Sequence, residues 1–308
     1  MDPTSTGHRA PRIWAFGSGK GGVGKSVLAA NLAVVTARSG RSVTLVDADL
    51  GGANLHTLLG VANPRRTLSD FLERRVATLD QVMAPTRIAN LWLVSSARAM
   101  LEAANPAHAQ KEKVLRHIAA LPVEVVILDL GAGSSLTVLD FFLAAHRGVV
   151  VVAPEPTSVE NTYQFVRAAF FRKLRRASPR ERIREVLAAA LQQREGHTFP
   201  SPRELVLATA ALDGEVGKAL ASEISTFRPG LVVNQARTAD QQHLVQDMAT
   251  ACRDYFGSPT QALGCIEYDP LVPLSVQERR PAVELFPESP FARGVAALHG
   301  QLVEVAHD

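Results

Sequence analysis

A chain of 308 residues, 46% of them hydrophobic, is long enough to bury a large core, in one large α/β domain or two smaller ones. Its net charge of +3 permits an acidic partner without requiring one, and the absence of any run of 18 apolar residues argues against a membrane-spanning helix. Met1 to Pro11 lacks the apolar stretch of a secretory signal, and Cys252 and Cys265 lack metal or redox spacing, so a cytoplasmic protein with reduced, buried thiols is expected.

In chain order, Arg12 to Phe16 is a short apolar run that reads as a buried strand. It leads into Gly19-Lys20-Gly21-Gly22-Val23-Gly24-Lys25-Ser26, the G-x-x-x-x-G-K-[ST] pattern of a phosphate-binding P-loop. Gly19, Gly21, Gly22 and Gly24 allow backbone N–H groups, that of Val23 among them, to turn towards an anion with no side chain in the way. Lys25 supplies a charge for the β- and γ-phosphates of a nucleotide, and the Ser26 hydroxyl is a suitable Mg²⁺ ligand. Lys20 is a second lysine that phosphate binding does not require. Ser26 to Ser39 then carries Val27, Leu28, Asn31, Leu32, Val34 and Val35 at helical spacing, with Gly40 placed as a C-terminal cap. The glycines thus fall between a strand and a helix N-terminus, where the macrodipole favours anions.

Further apolar runs follow at Ser42–Val46, Leu91–Val94, Val123–Leu128, Gly148–Ala153, Leu231–Asn234 and Ala262–Ile266, with helical segments between them. Unbroken Val/Ile/Leu runs indicate strands buried on both faces of a parallel sheet, which predicts a doubly wound α/β fold that binds ligands at the strands' carboxyl ends. Asp47, Asp49 and Asp129 stand at such ends. Val125 to Asp129 has the form of a Walker B strand, whose acid reaches Mg²⁺ directly or through its water. The i, i+2 spacing of Asp47 and Asp49 predicts two side chains on one side of an extended segment, one to order the metal and one to orient or deprotonate a water. Taken singly, each Asp also fits a strand-end turn or helix cap.

Residues 172–228 read as a helical insertion within a single domain of residues 1–308. Ser178-Pro179-Arg180-Glu181 and Ser201-Pro202-Arg203-Glu204 have the form of capping boxes with Pro at N1, and Asp213 would cap a third helix running to Phe227. Ala188-Ala189-Ala190 suggests close helix packing. The insertion begins with a basic run, Arg167, Arg172, Lys173, Arg175, Arg176, Arg180, Arg182 and Arg184, around Phe170 and Phe171. Three readings stay open for it: a solvated, ion-paired helix face, a contact with anionic lipid or DNA backbone, or a docking surface for a protein partner. His117, His146 and His243 are scattered, which disfavours zinc, and Trp14 and Trp92 read as core residues.

Lys20 to Ser26 resembles the deviant Walker A motif of the MinD/ParA ATPases, and Leu45-Val46-Asp47-Ala48-Asp49-Leu50-Gly51-Gly52-Ala53-Asn54-Leu55 resembles their switch I. Leu128 to Ser135 and Ala153-Pro154-Glu155-Pro156-Thr157-Ser158 are similar to segments of the FlhG branch, the flagellar-number regulators. So are Tyr268-Asp269-Pro270, Arg280 to Val283 and Pro287 to Pro290. The likeness covers residues 12–170 and 228–305. It implies an ATPase whose two ATP-bound subunits face each other, Lys20 of each reaching the partner's phosphates as an arginine finger would. It also implies Lys25 acting in cis, Ser26, Asp47 and Asp129 serving Mg²⁺, and Asp49 positioning the water. Asn54 would lie near the γ-phosphate, and Asn234 and Asp269 would lie at the adenine, within a wall formed by Glu267 to Val272. The family carries a proline where Glu267 stands, and as a strand-end residue Asn234 equally fits a plain turn.

The resemblance implies a cytoplasmic ATP-dependent dimer switch, peripheral to membrane or nucleoid, stimulated by a protein partner and controlling the position or number of a cellular structure. The FlhG motif that stimulates a GTPase is not found in the dozen residues before the first strand. The final helix, Phe291 to Ala306, with Val295, Leu298, Leu302 and Val305, fits core packing better than a membrane anchor. A ParA-like carrier that binds DNA non-specifically, and a metabolic enzyme passing the γ-phosphate to a substrate, are the alternatives. Iron–sulfur relatives are disfavoured, since no C-x-x-C is present.

Overall fold

The apolar runs assemble into one eight-stranded sheet in the computed structural model, which describes residues 10–49, 52–62, 64–96, 108–176, 180–192 and 201–304. The strands are β1 (Arg12–Gly17), β2 (Val43–Ala48), β3 (Ala84–Pro85), β4 (Leu91–Val94), β5 (Val125–Leu130), β6 (Arg147–Val152), β7 (Gly230–Ala236) and β8 (Gln261–Glu267). Their spatial order is β3-β4-β2-β5-β1-β6-β7-β8. Neighbours pair in parallel except at the β3 edge, where β3 runs antiparallel to β4. The sequence reading does not contain β3. Two residues offer no periodicity, and Pro85 is tolerated because an edge strand leaves one side of its ladder unpaired.

Side chains alternate between two apolar layers. On β1, Ile13 and Ala15 enter one layer and Trp14 and Phe16 the other, and on β5, Val126 and Leu128 oppose Val125 and Ile127 in the same way. Both faces are covered, which is why these segments read as unbroken apolar runs. In chain order the helices are α1 (Lys25–Arg38), α2 (Leu55–Leu58), α3 (Leu68–Leu72), α4 (His108–Ile118), α5 (Leu136–Ala144), α6 (Pro156–Leu174), α7 (Arg180–Gln192), α8 (Pro202–Leu212), α9 (Gly214–Thr226), α10 (Ala239–Phe256), α11 (Leu271–Gln277), α12 (Ala282–Leu285) and α13 (Pro290–Glu304). Residues of α1, α2, α12 and α13 fill one layer, and residues of α3 to α10 fill the other. In α13, Val295, Leu298 and Leu302 are buried in the first of these, as core packing requires; Val305 and Ala306 lie outside the described residues.

Within 172–228 the described residues form the end of α6 and the helices α7, α8 and α9. The Ser201 hydroxyl accepts the Glu204 N–H at 3.2 Å with Pro202 opening α8, and the Asp213 carboxylate accepts the N–H groups of Glu215 and Val216 to start α9. The proposed cap at Ser178 and Pro179 lies outside the described residues. Of the three alanines in α7, Ala188 and Ala189 are exposed and only Ala190 is buried, so close packing is confined to one of them.

Four residues of the basic run, Arg172, Lys173, Arg176 and Arg182, are ion-paired. Asp140 on α5 is buried and receives Arg172 at 2.8 Å, Arg176 at 2.7 Å and Lys111 at 3.5 Å. Lys173 meets Glu223 at 3.1 Å and Arg182 meets Asp213 at 2.6 Å. Phe170 is core, 1% exposed, against Phe227 and Phe256. Of Arg172, Lys173, Arg175 and Arg176, only Arg175 stands on the surface with no carboxylate partner among the described residues, which favours the ion-paired reading for the other three.

Candidate functional site

β1 lies between β5 and β6, and the chain leaves its carboxyl end through residues 18–24 into α1, at the point where the sheet extends both ways. Gly24 caps α1 with φ 81°, a left-handed conformation that suits glycine. At Gly19 the constraint is proximity: a Cβ there would run into the Asn161 carbonyl of α6. Gly21 and Gly22 face open space, so that side of the loop is a cradle which side chains would fill.

Asn234 and Gln235, at the end of β7, hold the loop from outside. The Asn234 amide donates to the Val23 carbonyl at 2.9 Å and the Gln235 amide to the Gly22 carbonyl at 3.3 Å. Gln235 adopts φ 66° at a β-bulge, strain that accompanies its turn towards the loop. The sequence reading missed it; its only signal is adjacency to Asn234.

Lys25 and Ser26 face Asp129. The Lys25 ammonium lies 2.5 Å from Asp129 Oδ1, both residues being buried, and the Ser26 hydroxyl donates to the same carboxylate. Burial pushes the Asp129 carboxyl upward, and Lys25 and Ser26 oppose that shift. Asp47 is the register partner of Asp129 on the adjacent strand and is 0% exposed. Burial, then the charge of Asp129, push its pKa up to about 7, against the lowering effect of N–H groups from Leu55 and Asp49. Its Oδ2 accepts the N–H groups of Asn54 and Leu55 and so ties down the start of α2.

Asp49 departs from the expected geometry. β2 ends at Ala48, so Asp49 does not share an extended segment with Asp47. Instead the chain turns, the Asp49 N–H points at Asp47 Oδ1, and the Asp49 carboxylate accepts the Gly52 N–H at 3.0 Å. Buried Ser96, which sequence reasoning missed, donates its hydroxyl to the Asp49 carbonyl. Asn54 is exposed at the N-cap of α2, while Leu50 and Gly51 lie outside the described residues.

Lys20 stands apart from this cluster. Its ammonium lies 2.6 Å from Oε2 of Glu155, the N-cap of α6, and 3.2 Å from Oγ1 of Thr157 in that helix's first turn. Both partners belong to the segment read in the sequence only as a family mark.

Beside Gly24 opens a cavity of about 410 Å³, walled by Val27, Asn234, Tyr268, Val272, Pro273 and Phe291 among others. Asp269 and Glu267 border it too. The Asp269 oxygens accept the N–H groups of Leu271 and Phe291, so this carboxylate anchors the starts of α11 and α13 and shapes the wall. A largely apolar cavity of this size next to a glycine cradle fits a nucleotide base beside its phosphates. For Mg²⁺ the available donors are all oxygen, from Ser26, Asp47 and Asp129, which fits a hard cation that takes one or two carboxylates and completes its shell with phosphate and water. Among the described residues no group of three or more His, Cys, Asp and Glu is arranged to hold a metal by itself.

The sequence model of the ParA family, described as NUBPL iron-transfer P-loop NTPase, matches residues 10–176, more than half of the chain. The chain belongs to the MinD/ParA family of P-loop ATPases. The antiactivator FleN of Pseudomonas aeruginosa is 35% identical over 157 residues, covering 51% of this chain and 55% of FleN. The flagellum site-determining protein YlxH of Helicobacter pylori is 30% identical over 155 residues, 50% of this chain and 52% of YlxH. The chain therefore spans about half the length of the curated relatives it matches. The septum site-determining protein MinD of Pyrococcus horikoshii, solved with Mg-ADP, superposes with a TM-score of 0.62 at 21% identity, over 96% of this chain and 97% of MinD, which shows the shared fold. Regarding the iron named in the family description, the two cysteines of this ParA-family chain sit on α10 and β8, and burial raises both thiols, Cys252 to about 12. Among the described residues, no helix is long and apolar enough to cross a membrane.

Proposed function

We propose that this protein is an FlhG-like ATPase, a single P-loop domain elaborated at residues 172–228, whose ATP-bound dimer controls the number or position of flagella or related polar machinery. The name of YlxH, a flagellum site-determining protein, supports the cellular role. The observation that carries the switch reading is Lys20. It lies at the mouth of the loop, 30% exposed, turned away from the Lys25–Asp129 cluster and towards the turn after β6. Paired with Glu155 in the single subunit and directed away from its own phosphate cradle, this charge would exchange that carboxylate for a second subunit's phosphates.

In this reading the backbone of residues 21–26 and Lys25 hold the phosphates, and Lys25 exchanges the Asp129 carboxylate for them. Asn234 and the wall at Asp269 bind the adenine. Asp49 orients the attacking water, and Asn54 closes over the γ-phosphate. Ser26, Asp47 and Asp129 would hold Mg²⁺, which when bound offsets the negative charge of the phosphates. A protein partner stimulates turnover, in the cytoplasm at the surface of a membrane or nucleoid. The ion pairing of Arg172, Lys173 and Arg176 weighs against the DNA-carrier alternative, because those side chains already have carboxylate partners.

Turnover per subunit tests the reading. A site completed by a second subunit gives an ATPase rate per subunit that rises with protein concentration, and Lys20→Ala abolishes the rise. A concentration-independent rate in the wild type would refute the dimer switch. In the host, loss of the gene should change the flagellar count seen by electron microscopy, and an unchanged count would refute the flagellar role.

A further inference from the structure

At the opposite end of the strands from the P-loop, a cavity of about 520 Å³ opens between the starts of β1 and β6 and the turn from α9 into β7. Arg12, His146, Arg147, Lys173 and Arg228 line it together with Trp14. None of these residues has a part in the nucleotide site.

Arg147 is the key side chain. It is 8% exposed, and one guanidinium nitrogen donates to Gln261 Oε1 at 2.7 Å. No carboxylate pairs with it among the described residues. Burial, then the neighbouring Arg228 guanidinium, pull its pKa below the ordinary arginine value. Burial, then Arg12, likewise lower His146, whose Nδ1 accepts the Ile13 N–H at 3.0 Å. Arg228 is exposed at the rim, its Nε donating to the Ser225 carbonyl at 3.0 Å. Lys173 meets Glu223 at 3.1 Å, a half-exposed pair.

A buried guanidinium whose neighbours are an amide and, at the rim, a second guanidinium is costly, because its own charge is poorly solvated and the nearby charge is of the same sign. An anion in the cavity would relieve that cost through charge-assisted hydrogen bonds, for which the arginine fork is well shaped. The indole of Trp14 and the rings of Phe142 and Phe227 give the same cavity an apolar wall. We propose that this cavity is a second ligand site, taking a small organic anion that carries phosphate or carboxylate groups on an apolar body.

Trp14 provides the reporter. The chain has two tryptophans, so a Trp92→Phe protein reads Trp14 alone. With the P-loop saturated by Mg-ADP, inorganic pyrophosphate or citrate should give a saturable change in Trp14 fluorescence, and the stronger of the two probes identifies phosphate or carboxylate as the preferred group. Sodium chloride at matched ionic strength should give no saturable change. Arg147→Gln and Arg228→Gln should each weaken binding about tenfold or more, as loss of a charged hydrogen bond does. Arg228→Gln changes an exposed side chain and decides the matter should Arg147→Gln fail to fold. The proposal is overturned if neither probe saturates, if chloride gives the same curve, or if folded variants bind as tightly as the parent.

Discussion

Gly19 and Gly21 lie two positions apart in one loop and meet opposite surroundings. A Cβ at Gly19 collides with backbone of α6, whereas a Cβ at Gly21 meets nothing. Gly19→Ala should therefore destabilise the fold by about 1–3 kcal/mol, the usual range for overpacking, seen as a lowered Tm. Gly21→Ala should leave the Tm of the ligand-free protein unchanged and weaken nucleotide binding, measured by calorimetry. Equal effects of the two substitutions on Tm would contradict this division. The motif identified both glycines, but only the packing of α6 separates a structural glycine from one that faces the ligand. Asp49 shows the same limit: spacing placed it on one extended segment with Asp47, whereas β2 ends at Ala48 and the chain turns at Asp49, whose carboxylate accepts the Gly52 N–H. Cys252 is 0% exposed with its thiol raised to about 12, so in the native protein it should resist a thiol reagent that labels the more accessible Cys265. Rapid modification of Cys252 without unfolding would contradict its burial.

Among the elements, α4, α5 and α6 are joined through one acid. Burial alone would raise the Asp140 carboxyl, but the hydrogen bond from Arg172 and the charges of Arg176, Arg172 and Lys111 outweigh it and hold the group below its ordinary 3.8. Asp140→Asn leaves three partly solvated cations around a neutral amide, and should cost about 1.5–3 kcal/mol, the range for hydrogen bonds to charged groups. A lowered carboxyl pKa contributes stability that is complete above the ordinary carboxylate range and lost as pH falls through the folded value. The difference between wild type and Asp140→Asn should thus be full at pH 7 and shrink below pH 3.8, the ordinary value, in denaturant titrations. A difference independent of pH would show that the charge is not the cause. The arginines were plain in the sequence, but their partner lies 32 residues before Arg172, and no local pattern joins them. The long apolar strands and the caps at Ser201 and Asp213 were legible because their signals are local; the two-residue β3 was not.

For the whole molecule, strand content and a parallel, doubly wound sheet followed from unbroken apolar runs, while the strand order and the two faces' helix assignments needed three dimensions. The P-loop's place followed from strand–glycine–helix succession alone. The clamps on it did not: Glu155 and Thr157 hold Lys20 across 135 and 137 residues, and Gln235 reaches Gly22 across 213. Lys20 remains the residue on which the account turns, because Lys25 faces Asp129 within the loop's own cluster whereas Lys20 faces Glu155. The most direct measurement is the mass of the protein in solution by light scattering with Mg-ATP, before appreciable hydrolysis, and again with Mg-ADP. The account predicts a dimer with ATP, a monomer with ADP, and a monomer under both conditions for Lys20→Ala that still binds ATP. A Lys20→Ala protein that dimerises with ATP as fully as the wild type would contradict it.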